Sequence, residues 1–166
     1  MLRILTYNIH KGFDRFNRGF VLRRIKEHLH EVDIDVLLLQ EIQGRHIHHE
    51  VRIADWPMAT QLEYLADSIW PHFAYGKNAI YRRGHHGNAI LSKYNISDWN
   101  NLNLSRFRRA SRSMLHGRID MPDRDTHLHL LCVHLDLIGF ERKRQVRELK
   151  RYIEATIPDD EPLIMG

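Results

Sequence analysis

An α/β fold built on parallel strands is predicted by three features of this sequence of 166 residues. Its aliphatic runs, such as Leu2 to Tyr7 and Val36 to Leu39, are too short for helices and read as buried strands. Between these two runs lies a helical pattern, with Val21, Leu22, Ile25 and Leu29 on one face and Arg23, Arg24, Lys26 and Glu27 on the other. Finally, the runs carry polar groups at their downstream ends: Asn8 and His10, then Gln40-Glu41, then His134 after Leu130 to Val133. Parallel strands of an open α/β sheet present ligands in this way, because binding crevices lie beyond their carboxyl ends.

The first strand, helix and second strand form a compact crossover unit, which would pair the two strands in parallel and bring Asn8 and Glu41 to one sheet edge. Gly12 to Arg18 reads as a loop, and the His-rich stretch from Gly44 to Pro57 as another. Leu62, Leu65, Ala66 and Ile69 restore a helix, begun by a Thr60-x-x-Glu63 capping box. Short strands are expected at Phe73 to Tyr75, Ala79 to Tyr81, Asn88 to Ser92 and Ser113 to Asp120, with a loop from Asn100 to Arg112. Thr126 to His134 alternates and then turns wholly apolar, as a strand entering a core does. Val146, Leu149 and Ile153 mark a last helix that Pro158 ends, and Leu163 to Met165 opens a strand. The pattern contains no internal repeat or linker, so residues 1–166 are read as one domain.

Composition narrows the field. Apolar residues make up 43% of the chain, enough for a proper core, and 25 Lys and Arg against 21 Asp and Glu give a mild preference for polyanions. The single cysteine, Cys132, excludes an intrachain disulfide and reads as a core thiol between Leu131 and Val133. No run approaches the roughly 18 apolar residues of a membrane span, and Met1 leads straight into a strand pattern. A cytoplasmic protein without a membrane span is therefore expected. His46-Ile-His48-His49 lacks a third ligand at defined spacing and carries little weight as a zinc site.

The strand-end groups suit phosphate-ester hydrolysis, which needs a divalent cation, donors that fix the phosphate and a proton carrier. Glu41 is the candidate metal ligand, Asn8 a phosphate or water-orienting donor, and His134 a proton donor or phosphate partner. Each has a bland reading as well: a solvent-facing carboxylate, a turn cap, a core histidine. Three unrelated strands ending in the right residue types argue for the chemistry.

The strings Leu5-Thr6-Tyr7-Asn8-Ile9-His10-Lys11-Gly12, Leu38-Leu39-Gln40-Glu41-Ile42, Gly87-Asn88-Ala89-Ile90-Leu91-Ser92, Cys132-Val133-His134-Leu135 and Leu163-Ile164-Met165-Gly166 resemble successive motifs of the endonuclease/exonuclease/phosphatase superfamily. They are most similar to a bacterial subgroup with the Asn8 to Gly12 and Gly84 to Ala89 strings. The resemblance implies a four-layer α/β sandwich of the DNase I-like type with the site at one end. It implies Mg²⁺, or Mn²⁺, on Glu41, with Asn8 and His134 catalytic and Arg112, His10 and Asn88 near the substrate phosphate. The substrate class would be a phosphate ester of nucleic acid, nucleotide or phospholipid head group. Family members also carry Asp-x-Asn and Ser-Asp-His elements that do not occur here, so the expectation is an N-terminal portion of the domain, nearly inactive alone and self-associating through an open edge. The competing expectation is a non-catalytic anion-binding module for nucleic acid or acidic phospholipid, using the basic run from Arg106 to Arg112.

Overall fold

Two four-stranded sheets stack face to face in the computed structural model, which describes residues 1–105, 112–121 and 126–166. The first sheet has the order β1-β2-β4-β3, from β1 (Ile4–Asn8), β2 (Val36–His46), β3 (His72–Tyr81) and β4 (Gly84–Ser92). The second has the order β5-β6-β7-β8, from β5 (Ile96–Asn103), β6 (Ser113–Asp120), β7 (His127–His134) and β8 (Leu163–Met165). β1 pairs β2 in parallel, as the crossover pattern predicted, and β8 pairs β7 in parallel; the other pairings are antiparallel.

Alternation along the strands divides their side chains between two interfaces. Val36, Leu38 and Ile90 point inward and meet Leu115, Leu128, Leu130 and Cys132 of the opposite sheet. Leu37, Leu39, Ala89 and Leu91 point outward and pack under α1 (Leu22–Glu31) and α3 (Gln61–Ala66), together with Trp70. On the other outer face, Met114 and Leu131 meet Leu149 of α4 (Gly139–Thr156). The result is the expected four-layer sandwich, helices outside and sheets between. Cys132 lies in the middle layer, where burial pushes its thiol up to about 12, so it is a core group. No helix among the described residues is long and apolar enough to cross a membrane.

Several local expectations change. The aliphatic run at Val36 continues as a strand to His46, and Ile47–Arg52 forms a short helix, α2, where a loop was expected. Its N-cap is His46, whose side chain accepts from the His49 backbone N–H at 3.2 Å, so the histidine cluster caps a helix and its paired rings stack. The two short strands expected before Arg82 are one, β3, interrupted by an irregularity between Lys77 and Ala79. β4, expected from Asn88, begins earlier, at Gly84. β5 was missed because its Asn-rich sequence carries little of the β-branched and aromatic signal of a strand. The Thr60 and Glu63 capping box is present in both directions.

Candidate active site

Glu41 sits in a bulge. β2 and β4 are in register at Leu39 with Ala89 and again at Ile42 with Gly87, so Gln40 and Glu41 together face Asn88 alone. Such an insertion bends the strand and re-aims a side chain. Glu41 adopts φ of +56°, a left-handed conformation that non-glycine residues rarely hold without functional constraint. Gly87, opposite, has no room for a side chain: a Cβ there would lie 1.9 Å from the Gly76 carbonyl oxygen.

The re-aimed carboxylate meets groups from both sheets. Asn8 Nδ2, at the end of β1, donates to Glu41 Oε1 at 3.5 Å, and His134 Nε2, at the end of β7, lies 3.7 Å from the same oxygen. Lys11 Nζ donates to Oε2 at 2.8 Å from the single 3₁₀ turn His10–Gly12. Arg112, immediately before β6, donates through Nη1 to His134 Nε2 at 2.7 Å. Thus Asn8, Glu41, Arg112 and His134 come together at one end of the sandwich.

Their electrostatics differ. Burial pushes the Glu41 carboxyl up, but the Lys11 ammonium, His134 and the Asn8 amide outweigh it and leave the group below the usual carboxylate range. Glu41 is therefore an anion at neutral pH. Burial and then the Arg112 guanidinium lower the His134 pKa, more than Glu41 raises it, so this imidazole is neutral at pH 7. Because Arg112 donates to Nε2, the ring proton is assigned to Nδ1.

The remaining expected residues hold different positions. The His10 ring bonds the Asp14 carbonyl at 3.1 Å, while its backbone N–H donates to Asn8 Oδ1 at 2.9 Å and so fixes the Asn8 side chain. Asn88 is fully buried; its Nδ2 reaches across the sandwich to the carbonyls of Ser113 at 3.1 Å and Cys132 at 3.2 Å. It ties the two sheets together directly beneath the bulge. Ser113 in turn hydrogen-bonds Asn78 of β3. The residues Arg106, Arg108 and Arg109 of the basic run lie outside the described residues.

Two site groups carried no clear role in the sequence. Lys11 was visible only as part of a motif string. His86, on β4, has its pKa lowered to about 4 by burial and then by Lys11, against the opposing pull of Glu41, with His134 and Arg112 lowering it further. Its one signal in the sequence was its place in the Gly84 to Ala89 string. Three polar atoms of this region are buried without a partner: Arg112 Nε, His86 Nδ1 and Asn88 Oδ1. Unpaired buried donors and acceptors are rare, and an oxygen-rich ligand would satisfy the guanidinium nitrogen.

No group of three or more His, Cys, Asp or Glu side chains among the described residues is arranged as a metal cage. The donor chemistry still fits a hard cation. Magnesium takes one or two carboxylates and completes its shell with water and substrate oxygen, and Glu41 is an ionised, largely buried carboxylate aimed by the bulge in β2. A cleft of about 580 Å³ lies elsewhere, lined mainly by apolar residues of β7, α4 and β8.

A model of the "Endonuclease/Exonuclease/phosphatase family" matches residues 5–166. The chain is similar, at 40% identity over 164 residues, to the uncharacterized protein YbhP of Escherichia coli strain K12; the match covers 99% of the chain and 64% of YbhP. It therefore spans less than two thirds of that relative. Its fold is similar to a solved endonuclease/exonuclease/phosphatase from Beutenbergia cavernae, with a TM-score of 0.73 and 19% identity over 99% of this chain and 46% of that one. It is also similar to a mannosyl-6-phosphatase from Bacteroides thetaiotaomicron, with a TM-score of 0.67 and 16% identity over 99% of this chain and 64% of that one.

Proposed function

The chain belongs to the endonuclease/exonuclease/phosphatase family, and from that premise we propose that it serves magnesium-dependent hydrolysis of a phosphate ester, by in-line attack of water on phosphorus. The observation that carries this reading is the convergence of Asn8, Glu41, Arg112 and His134, drawn from both sheets onto one end of the sandwich. Glu41 would hold Mg²⁺, with Mn²⁺ the alternative. The bound ion would neutralise charge on the phosphoryl oxygens. Asn8 orients the carboxylate. Arg112 offers the phosphate its unpaired Nε, and the neutral imidazole of His134 hydrogen-bonds the scissile group and assists proton transfer. His10 acts by positioning Asn8, and Asn88 by holding the sheets in register below the site.

The substrate is a phosphate ester of nucleic acid, nucleotide or phospholipid head group, a range the site chemistry does not narrow. Water activation needs a further acid. Asp136, the other carboxylate that acts on His134, is buried and accepts the Ile138 N–H at 2.9 Å. A protein limited to these residues is therefore expected to turn over slowly, by several orders of magnitude.

The test is hydrolysis of bis-p-nitrophenyl phosphate and p-nitrophenyl phosphate by the full-length gene product, with Mg²⁺ and with chelator. Turnover that requires Mg²⁺, with KM raised about tenfold in Arg112→Met through loss of a charged hydrogen bond, is expected. Turnover indifferent to both changes would overturn the assignment.

Self-association also belongs to this reading. β1 and β8 are sheet edges, and Val146 and Met165 are exposed beside the apolar cleft. Light scattering after size exclusion should show dimers or larger species of the 166-residue chain; a monodisperse monomer would refute this.

A further inference from the structure

Lys11 is held at Glu41 by an unusual stretch of backbone. His10, Lys11 and Gly12 have successive φ values of +49°, +58° and +81°, and Glu41, its partner, has +56°. Asn17 and Asp67 are the other non-glycine residues with positive φ among those described, so three of the five lie in the Lys11 turn and its partner Glu41. The turn is pinned from both sides. Gln61 Nε2 donates to the Lys11 carbonyl at 2.8 Å, and Val21 N–H to the Gly12 carbonyl at 2.8 Å. A Cβ on Gly12 would lie 2.9 Å from both the Gln61 and Phe20 side chains. An ordinary surface ion pair requires none of this; it forms between flexible side chains on relaxed backbone. The side chains here are only 30% and 15% exposed.

We propose that Lys11 is an internal stand-in for the divalent cation: it occupies Glu41 Oε2 when the ion is absent and is displaced toward the substrate phosphate when the ion binds. This rests on the reading of Glu41 as the metal ligand. The physical argument is charge balance in a partly buried site. A half-buried Glu41 needs a cation beside it, and Lys11 Nζ, 2.8 Å from Oε2, supplies that charge and holds the carboxylate in place. A dication and an ammonium on one carboxylate repel each other, so the ion must compete for the oxygen Lys11 holds. Asn8 Nδ2 donates to Oε1 and Lys11 Nζ to Oε2, so each carboxylate oxygen already has a partner. The released ammonium would stand near Arg112 and His134, where a phosphate dianion supplies its new partner. Metal affinity is thereby lowered in the absence of substrate and restored in its presence.

The test is Mg²⁺ titration at pH 7 by calorimetry on the wild type, Lys11→Met and Glu41→Gln. Lys11→Met should bind Mg²⁺ about tenfold more tightly than wild type, the size of a modest coupling between neighbouring charges. Equal or weaker binding in Lys11→Met overturns the proposal. Undiminished binding in Glu41→Gln overturns instead the ligand assignment on which it rests. A second measurement needs no variant. Acetylation of Lys11, read by peptide mass spectrometry in the wild type, should rise severalfold on adding Mg²⁺ as the ammonium leaves Glu41; an unchanged rate defeats the displacement.

Discussion

Glu41→Gln is expected to remove measurable Mg²⁺ binding and to lower kcat/KM of the full-length gene product on a phosphodiester by a factor on the order of 10³. The substitution keeps the shape, removes the charge and exchanges one acceptor oxygen for an NH₂ donor. Glutamine has one oxygen where the carboxylate has two, so it can keep the hydrogen bond from Lys11 Nζ or the one from Asn8 Nδ2, and the bulge at Gln40 and position 41, set by the pairing of β2 with β4, should survive. The remaining change is electrostatic. A neutral amide oxygen is a weak ligand for a dication that prefers carboxylate, and Asn8 provides no charge to replace it. Lys11, at 30% exposure, can turn outward once its anionic partner is gone, so the loss of stability should stay within about 1 kcal/mol. Calorimetric titration and circular dichroism of the same sample separate the two effects. Retained Mg²⁺ affinity in a folded Glu41→Gln protein would remove the metal from this site.

Much of this arrangement was legible in the sequence because it depends on strand ends. Asn8 and His134 close their strands, where a buried strand can most readily place a polar residue; Glu41, expected just past the run Val36 to Leu39, lies instead within β2, which continues to His46. Parallel pairing of β1 with β2 then brings Asn8 opposite Gln40, next to Glu41. What sequence periodicity does not express is the bulge that turns Glu41 toward Asn8, because an extra residue in one strand leaves no mark until the partner strand is known. The left-handed turn that aims Lys11 was hidden for a related reason: His10 and Lys11 are not residues whose identity signals positive φ, and Gly12 alone hinted at it. Asn88 illustrates the opposite error. A polar residue inside an apolar strand was taken for a phosphate contact, and its amide is spent joining the backbones of β6 and β7. β5 escaped notice because it is an edge strand, with half of its residues open to solvent and little apolar alternation to display.

Acid should unfold this protein well before its carboxylates titrate. His86 and His116 both have pKa values lowered from 6.5 to about 4, each chiefly by burial. For His86 the nearby Lys11, His134 and Arg112 add to the effect and Glu41 opposes it. For His116, His129 and Arg118 add to it and Asp98 opposes it. The neutral form of His116 is built into a chain: its Nδ1 lies 2.8 Å from the Tyr152 hydroxyl and its Nε2 2.8 Å from His129 Nδ1, and His129 Nε2 bonds Glu161. With its proton on Nε2, neutral His116 satisfies both of its links, accepting from the Tyr152 hydroxyl at Nδ1 and donating to His129 Nδ1. A proton added to His116 Nδ1 would reverse that link, the Tyr152 oxygen then accepting, while the ring's burial still opposes its charge. The sign follows from linkage. Between pH 6.5 and about 4 the unfolded chain binds protons at these histidines and the folded chain does not, so stability rises with pH and is lost as pH falls through that window. The full shift corresponds to about 3 kcal/mol for each histidine at 1.36 kcal/mol per pK unit, and solvent screening of the partly exposed His86 trims its share. Together they should contribute on the order of 4 kcal/mol, a large part of the stability of a domain this size. His134, His85 and His49 are lowered in the same direction and steepen the slope. Thermal melts from pH 8 to pH 4 should show Tm constant down to about pH 7 and then falling by ten degrees or more. His116→Gln should lower Tm at pH 8 and flatten the decline below pH 6.5. A wild-type Tm that holds steady from pH 7 to pH 5 would mean that these rings take up protons in the folded state as readily as in the unfolded one.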